Sequence, residues 1–93
     1  MRVGVLTLEI RLPYCHSLKE RRAVLRKMRD RLRSRFNVAV AEVDHRDVWQ
    51  SATVGVVSVS DSQAVLEAVL RKVLQESERI LGDDVASYTL DFL

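Results

Sequence analysis

Lys19, Arg22, Arg26, Arg29 and Arg33 recur at i, i+3, i+7, i+10 and i+14, which lays five cations along one face of a helix. The chemistry such a row offers is repeated contact with phosphate. It belongs to a denser run. Residues 19–35 hold nine basic side chains and two acids, a net +7, while the remaining chain holds six basic and eleven acidic ones, a net −5. The near-neutral total of +2 therefore conceals a dipolar molecule. Few carboxylates within the run can answer the row. Asp30 reaches Arg26, Lys27 or Arg33 by helical spacing, and Glu20 reaches no basic residue. The competing reading is a solvated charged face, or one paired with Glu67, Glu76 or Glu78 from further along the chain. Arg21 falls outside the row. Its helical phase puts it on the apolar flank, near the end where the connections gather, with an acid there as its candidate partner.

His16, His45, Trp49 and Gln50 form a second, weaker group, suited to a stacking or pH-sensitive contact. Together with Cys15, Asp44, Asp47, Asp83 and Asp84 the histidines could also be assembled into a metal or nucleophile site. Spacing argues against both, because HxxxH, CxxC and HxH are all missing. Cys15 and His16 are adjacent, and neighbouring side chains seldom face each other. Trp49 reads more readily as an apolar plug under a connection than as a ligand platform. Gly4, Gly55 and Gly82 lie too far apart to cradle a phosphate. No metal ligand, cofactor or catalytic residue is assigned.

The elements that must position these residues follow from periodicity. Residues 3–12 alternate, with Leu6, Leu8, Ile10 and Leu12 on one side, and Pro13 ends the strand. Ser17-Leu18-Lys19-Glu20 is a capping box, and Leu18, Leu25, Met28, Leu32 and Phe36 then form one helical stripe that Asn37 closes. Strands follow at 38–43 and 53–60, joined by the polar connection Asp44 to Ser51. Ser60 or Asp61 is expected to cap a second helix, with Gln63 completing a capping box and Val65, Leu66, Val69, Leu70, Val73, Leu74 and Ile80 as its apolar stripe. Gly82 stops it. Residues 85–92 alternate again, with Ala86, Tyr88, Leu90 and Phe92 on one side.

The order β-α-β-β-α-β predicts an α+β, ferredoxin-like domain over residues 1–93: a four-stranded antiparallel sheet with both helices on one face. That topology gathers Pro13 to His16, Asp44 to Gln50 and Gly82 to Asp84 at one end of the sheet. The opposite face should be bare, carrying Val3, Val5, Thr7, Val54 and Val56, with Val85 at the rim and Val38 and Val40 depending on register. Such a face suggests a homodimer packed through its sheets. An RNA-reading sheet is set aside, since the central strands have no aromatic residue. A lone cysteine excludes an internal disulfide and suits a reducing cytoplasm. No signal peptide, membrane span or low-complexity linker is visible.

Three strings are more specific than these patterns: His16-Ser17-Leu18-Lys19-Glu20-Arg21-Arg22, Arg35-Phe36-Asn37-Val38-Ala39-Val40-Ala41-Glu42-Val43 and Asp47-Val48-Trp49-Gln50-Ser51-Ala52-Thr53-Val54-Gly55. They resemble the YlxP-like family of small bacterial proteins, a domain of unknown function, and the resemblance runs over essentially the whole chain. It implies a cytoplasmic protein linked to RNA or the ribosome, by the genes that accompany the family, and brings no catalytic residues. Tyr14-Cys15 departs from the pattern, so Cys15 is not a family-wide nucleophile. The resulting expectation is a non-enzymatic module binding structured RNA or a ribosomal surface through the basic row. The alternatives are a homodimeric protein-interaction module and a small-ligand or metal-dependent enzyme.

Overall fold

A computed structural model describes residues 1–44 and 50–93. The elements run β1 (Arg2–Arg11), α1 (Leu18–Arg35), β2 (Ala39–Asp44), β3 (Ser51–Ser60), α2 (Gln63–Leu81), a short 3-10 turn (Gly82–Asp84) and β4 (Val85–Phe92). The strands form one antiparallel sheet in the order β2-β3-β1-β4. Leu6, Leu8 and Ile10 of β1 face the helices and are fully buried, as strict alternation requires. Against them pack Leu25, Met28 and Leu32 from α1 and Leu66, Leu70, Val73 and Leu74 from α2, all in one core. This is the ferredoxin-like α+β arrangement expected from the order of elements.

Register corrects the expected bare face. Val54 pairs across from Leu8 and Val56 from Leu6, so both share the inward side, at 2% and 0% exposure. The outward residues of β3 are Thr53, Gly55, Val57 and Val59. The adjacent pair Val56-Val57 hides the phase, and Ser58 misleads further. Ser58 points inward, where its hydroxyl donates to the Asn37 carbonyl at 2.9 Å. Val38 and Val40 also pack on the core. Val85 does too, because the ladder shifts between Glu9 and Ile10: Glu9 pairs with Ser87 and Ile10 with Val85. Ala86 is the extra residue and is exposed, as is Tyr88, so of the expected row only Leu90 and Phe92 pack on the core.

Helix boundaries show the same control by pairing. Ser17 is the N-cap of α1, its hydroxyl accepting from the Glu20 amide at 3.1 Å. The Glu20 carboxylate reaches back one residue further than a standard box and accepts from the His16 amide at 2.8 Å. α1 ends with Phe36 as its cap, one residue before Asn37, since Phe36 turns extended to pack against the core. α2 is capped by Ser62, not Ser60 or Asp61. β3 stays paired through Ser60, opposite Arg2, so the helix cannot start earlier. Gln63 accepts from Arg2 rather than closing a box. Val65 lies off the buried stripe at 54% exposure, and Ser77 takes a buried place by donating to the Val73 carbonyl. Gly82 ends α2 at φ +58°, a conformation that favours glycine.

Gly4 lies on the inward face beneath α2. A Cβ there would sit 2.6 Å from Leu70 Cδ1 and 3.0 Å from Leu66 Cγ, and both leucines are locked in the core. Gly4→Ala should therefore cost about 1–3 kcal/mol in urea denaturation. Gly55→Ala, whose Cβ would meet Val43 at 3.4 Å on the outer face, should stay within about 0.5 kcal/mol of wild type.

Candidate nucleic-acid interface

α1 turns its apolar stripe and Arg21 onto the sheet. Arg21 is 2% exposed, and its guanidinium is fully engaged. Its Nε and Nη2 donate to the Ser51 carbonyl at 3.2 and 2.9 Å, and Nη2 also pairs with the Glu42 carboxylate. The acid expected to meet Arg21 is thus Glu42 of β2. The alternation Val38, Val40, Glu42 placed a carboxylate in an inward row, and that was the signal for it.

With Arg21 and the leucines turned inward, the remaining cations of α1 fall into two rows flanking the buried stripe. One row faces α2. There Arg31 and Arg35 donate to Glu76 at 3.2 and 3.3 Å, and Arg79 donates to the same carboxylate from within α2. Of the three acids expected as partners, Glu76 reaches α1, and Glu67 instead pairs with Arg71 at 3.0 Å. The other row holds Lys19, Arg22, Arg26, Arg29 and Arg33. It runs about 21 Å along the helix. Arg29 contacts Asp30 at 3.3 Å on the exposed surface. Arg22 Nε donates to the Leu18 carbonyl of its own helix. Among the described residues, Lys19, Arg22, Arg26 and Arg33 have no carboxylate partner.

This second row borders β2. Arg22, Arg26 and Arg29 line a groove of about 200 Å³ together with Leu25, Met28, Val40, Ala41, Glu42 and Val54. The groove thus has a cationic rim, an apolar floor and one carboxylate. Glu42 keeps 22% of its side chain exposed. Its Oε1 is taken by Arg21, and its Oε2 has no partner among the described residues.

At the other expected site, the connections do converge. The Leu12 amide donates to the Gln50 carbonyl at 2.9 Å, and Gln50 Nε2 donates to the Pro13 carbonyl at 3.3 Å. Partial burial, with the Asp84 carboxylate adding, pushes the Tyr14 pKa up to about 12. His16 is exposed at this end. His45 and Trp49 lie outside the described residues. Gln50 stitches two connections together, which is a structural task. Cys15 is fully buried, and burial, helped by the charges of Glu20 and Asp84, raises its thiol pKa against the pull of Arg21. That is the opposite of an activated nucleophile. Among the described residues, no three His, Cys, Asp or Glu side chains group closely enough to hold a metal ion. No helix among them is long and apolar enough to cross a membrane.

Residues 3–89 match the model of a family described as "Protein of unknown function (DUF503)". The chain belongs to this family. A DUF503 relative by sequence is the uncharacterized protein YlxP of Bacillus subtilis (strain 168), 41% identical over 58 residues. That match spans 62% of this chain and 63% of the relative. In structure the chain is similar to a de novo designed protein with ferredoxin fold, at a TM-score of 0.56 and 10% identity, covering all of this chain and 83% of the other. It is also similar to SnoaB, a cofactor-independent oxygenase from Streptomyces nogalater, at a TM-score of 0.53 and 9% identity, covering 99% of this chain and 90% of the other. Likeness to a designed protein and to an oxygenase at such identities shows the fold and nothing about activity.

Glu76 separates the two arginine rows, and its charge is testable. The bond from Arg79, with Arg31 and Arg35 adding, outweighs partial burial and lowers its pKa from 4.5 to about 2. A carboxylate depressed on folding stabilises above its unfolded pKa and loses that contribution as pH falls through the folded one. Glu76→Gln should therefore be less stable than wild type at neutral pH. The difference should shrink as pH falls below 4.5 and vanish near 2, as thermal unfolding across that range would show.

Proposed function

We propose that this DUF503 protein is a non-enzymatic, cytoplasmic module that binds structured RNA, on or off the ribosome, through the β2-facing row of α1. The observation that carries the reading is the partition of charge on that helix. Arg31 and Arg35 share the Glu76 carboxylate with Arg79, so their charge is partly offset, whereas Lys19, Arg22, Arg26 and Arg33 lack a carboxylate partner among the described residues. Like charges at helical spacing repel. A helix with only a structural task has no reason to keep such a row open, while a polyanion repays it by releasing counterions. The roles are phosphate contacts for Arg22, Arg26, Arg29 and Arg33, with Lys19 extending the row. His16 sits at the N-terminal end of the same helix, where a further contact with the chain is within reach.

The test is affinity for a structured ribosomal RNA fragment and for ribosomal subunits across a salt series. Neutralising about five phosphates predicts a slope of log K against log salt near −4. Arg26→Glu/Arg29→Glu/Arg33→Glu, folded by circular dichroism, should bind at least about tenfold more weakly with a shallower slope. Arg31→Gln/Arg35→Gln should lose far less. Binding no stronger than to an acidic-polymer control, or unchanged in the triple variant, would remove the reading.

A second reading is favoured by the outer sheet face. Val43, Val57 and Val59 are exposed there at 60%, 37% and 51%, beside half-buried Val3 and Val5. A valine surface of this kind fits self-association through the sheets, giving a dimer whose α1 rows stay on the outside. Sedimentation should then show a dimer at micromolar protein, and Val57→Glu/Val59→Glu should leave a folded monomer. A wild-type monomer at that concentration would end this reading and leave the RNA proposal intact.

A further inference from the structure

The groove between α1 and β2 has a composition that phosphate binding alone does not need. Three arginines at its rim would suffice for a backbone contact. Its floor is instead apolar, formed by Leu25, Met28, Val40 and Val54, and it contains the Glu42 carboxylate. A carboxylate beside a phosphate-binding row would repel the ligand if its charge were free. Here Arg21 offsets that charge from beneath, so Glu42 can act as an acceptor without opposing a polyanion. At about 200 Å³ the groove is smaller than the ~300–1,000 Å³ of a small-molecule pocket. It suits one flat group whose sugar and phosphate lie outside.

We infer that this groove receives a single unstacked guanine of the bound RNA, read by Glu42. Single-stranded loops and bulges are where proteins read RNA bases, on their Watson–Crick edges. Guanine offers two adjacent donors on that edge, N1–H and N2–H. An ionised carboxylate has two oxygens and about four lone-pair sites, so Oε2 can accept from one while Oε1 keeps Arg21 and accepts from the other. Guanine O6, an acceptor beside these donors, calls for a cation, and Arg22, Arg26 and Arg29 border the groove. Uracil sets its one N–H between two carbonyl oxygens that a carboxylate repels. Adenine and cytosine each offer an amino group beside an unprotonated ring nitrogen, and so one favourable contact against one repulsive. Val40, the partly exposed member of the floor, and the arginine stems meet the base plane, and the arginine head groups keep the phosphate of the same nucleotide.

This inference rests on the RNA reading for its ligand, but its test uses nucleotides alone. GMP, AMP, CMP and UMP carry the same sugar and phosphate, so a comparison isolates the base. Methyl NMR of the wild-type protein should show GMP shifting Leu25, Met28, Val40 and Val54, with affinity about tenfold above the other three. Glu42→Gln keeps an acceptor for Arg21 but replaces one carboxylate oxygen with a donor. It should abolish the GMP preference, bringing GMP affinity down to that of the other three nucleotides. Equal affinity for all four nucleotides, or no response at the groove methyls, overturns the guanine site. So does a folded Glu42→Gln protein that still prefers GMP. If that variant does not fold, the wild-type comparison decides. RNA binding with the groove methyls silent to GMP overturns the guanine site alone. A GMP response in a protein that ignores RNA keeps the site and overturns the RNA reading.

Discussion

A guanidinium cannot stay beneath a sheet uncompensated, because the desolvation cost of an unpaired charge exceeds what packing can recover. Arg21 is buried between α1 and the β2–β3 strands, and its donors meet Ser51 and Glu42. That requirement ties the rotation of α1 to the position of two strands. The leucines and Met28 of the same stripe would tolerate small rotations about the helix axis, but a buried ion pair with two defined acceptors does not. Every other cation on α1 inherits its direction from this anchor.

The consequence is a partition of one basic helix into two environments. The row turned toward α2 finds Glu76, which takes Arg31, Arg35 and Arg79 together. The row turned toward β2 finds Glu42, which is already engaged by Arg21. Charge is partly offset on one flank, while on the other Lys19, Arg22, Arg26 and Arg33 have no carboxylate partner among the described residues. The groove on the open flank then combines a cationic rim, an apolar floor and a carboxylate held at reduced effective charge. The proposed phosphate contacts and base reading both draw on that combination, and neither depends on the fold class. The same βαββαβ frame also supports a designed protein and an oxygenase.

Much was legible in the chain before its structure. Alternation in residues 3–12 and 85–92, the Ser17 cap, the Gly82 stop and the helical stripes all follow from local geometry, and they specify the order of elements. The basic row was also legible, since helical spacing alone places Lys19, Arg22, Arg26, Arg29 and Arg33 together. Arg21 was singled out by phase, as was its need for an acid. Errors appeared where a choice depends on a partner strand. Val54 and Val56 face inward although the local pattern predicts the outer face, because Val56-Val57 breaks the alternation. Val85 was misplaced because the shift at Ala86 exists only through pairing with β1. The α2 cap, Ser62, lies one or two residues beyond the expected Ser60 or Asp61 because β3 remains paired to Ser60.

The sequence by itself therefore determined the element order, the amphipathic faces and the charge asymmetry, since each depends on residues a few positions apart. Tertiary structure decided which acid neutralises which arginine, which valines are bare and where the groove lies. Those depend on strand register and helix rotation. A one-residue slip reverses every side chain of a strand, and sequence spacing carries no direct record of which slip was chosen.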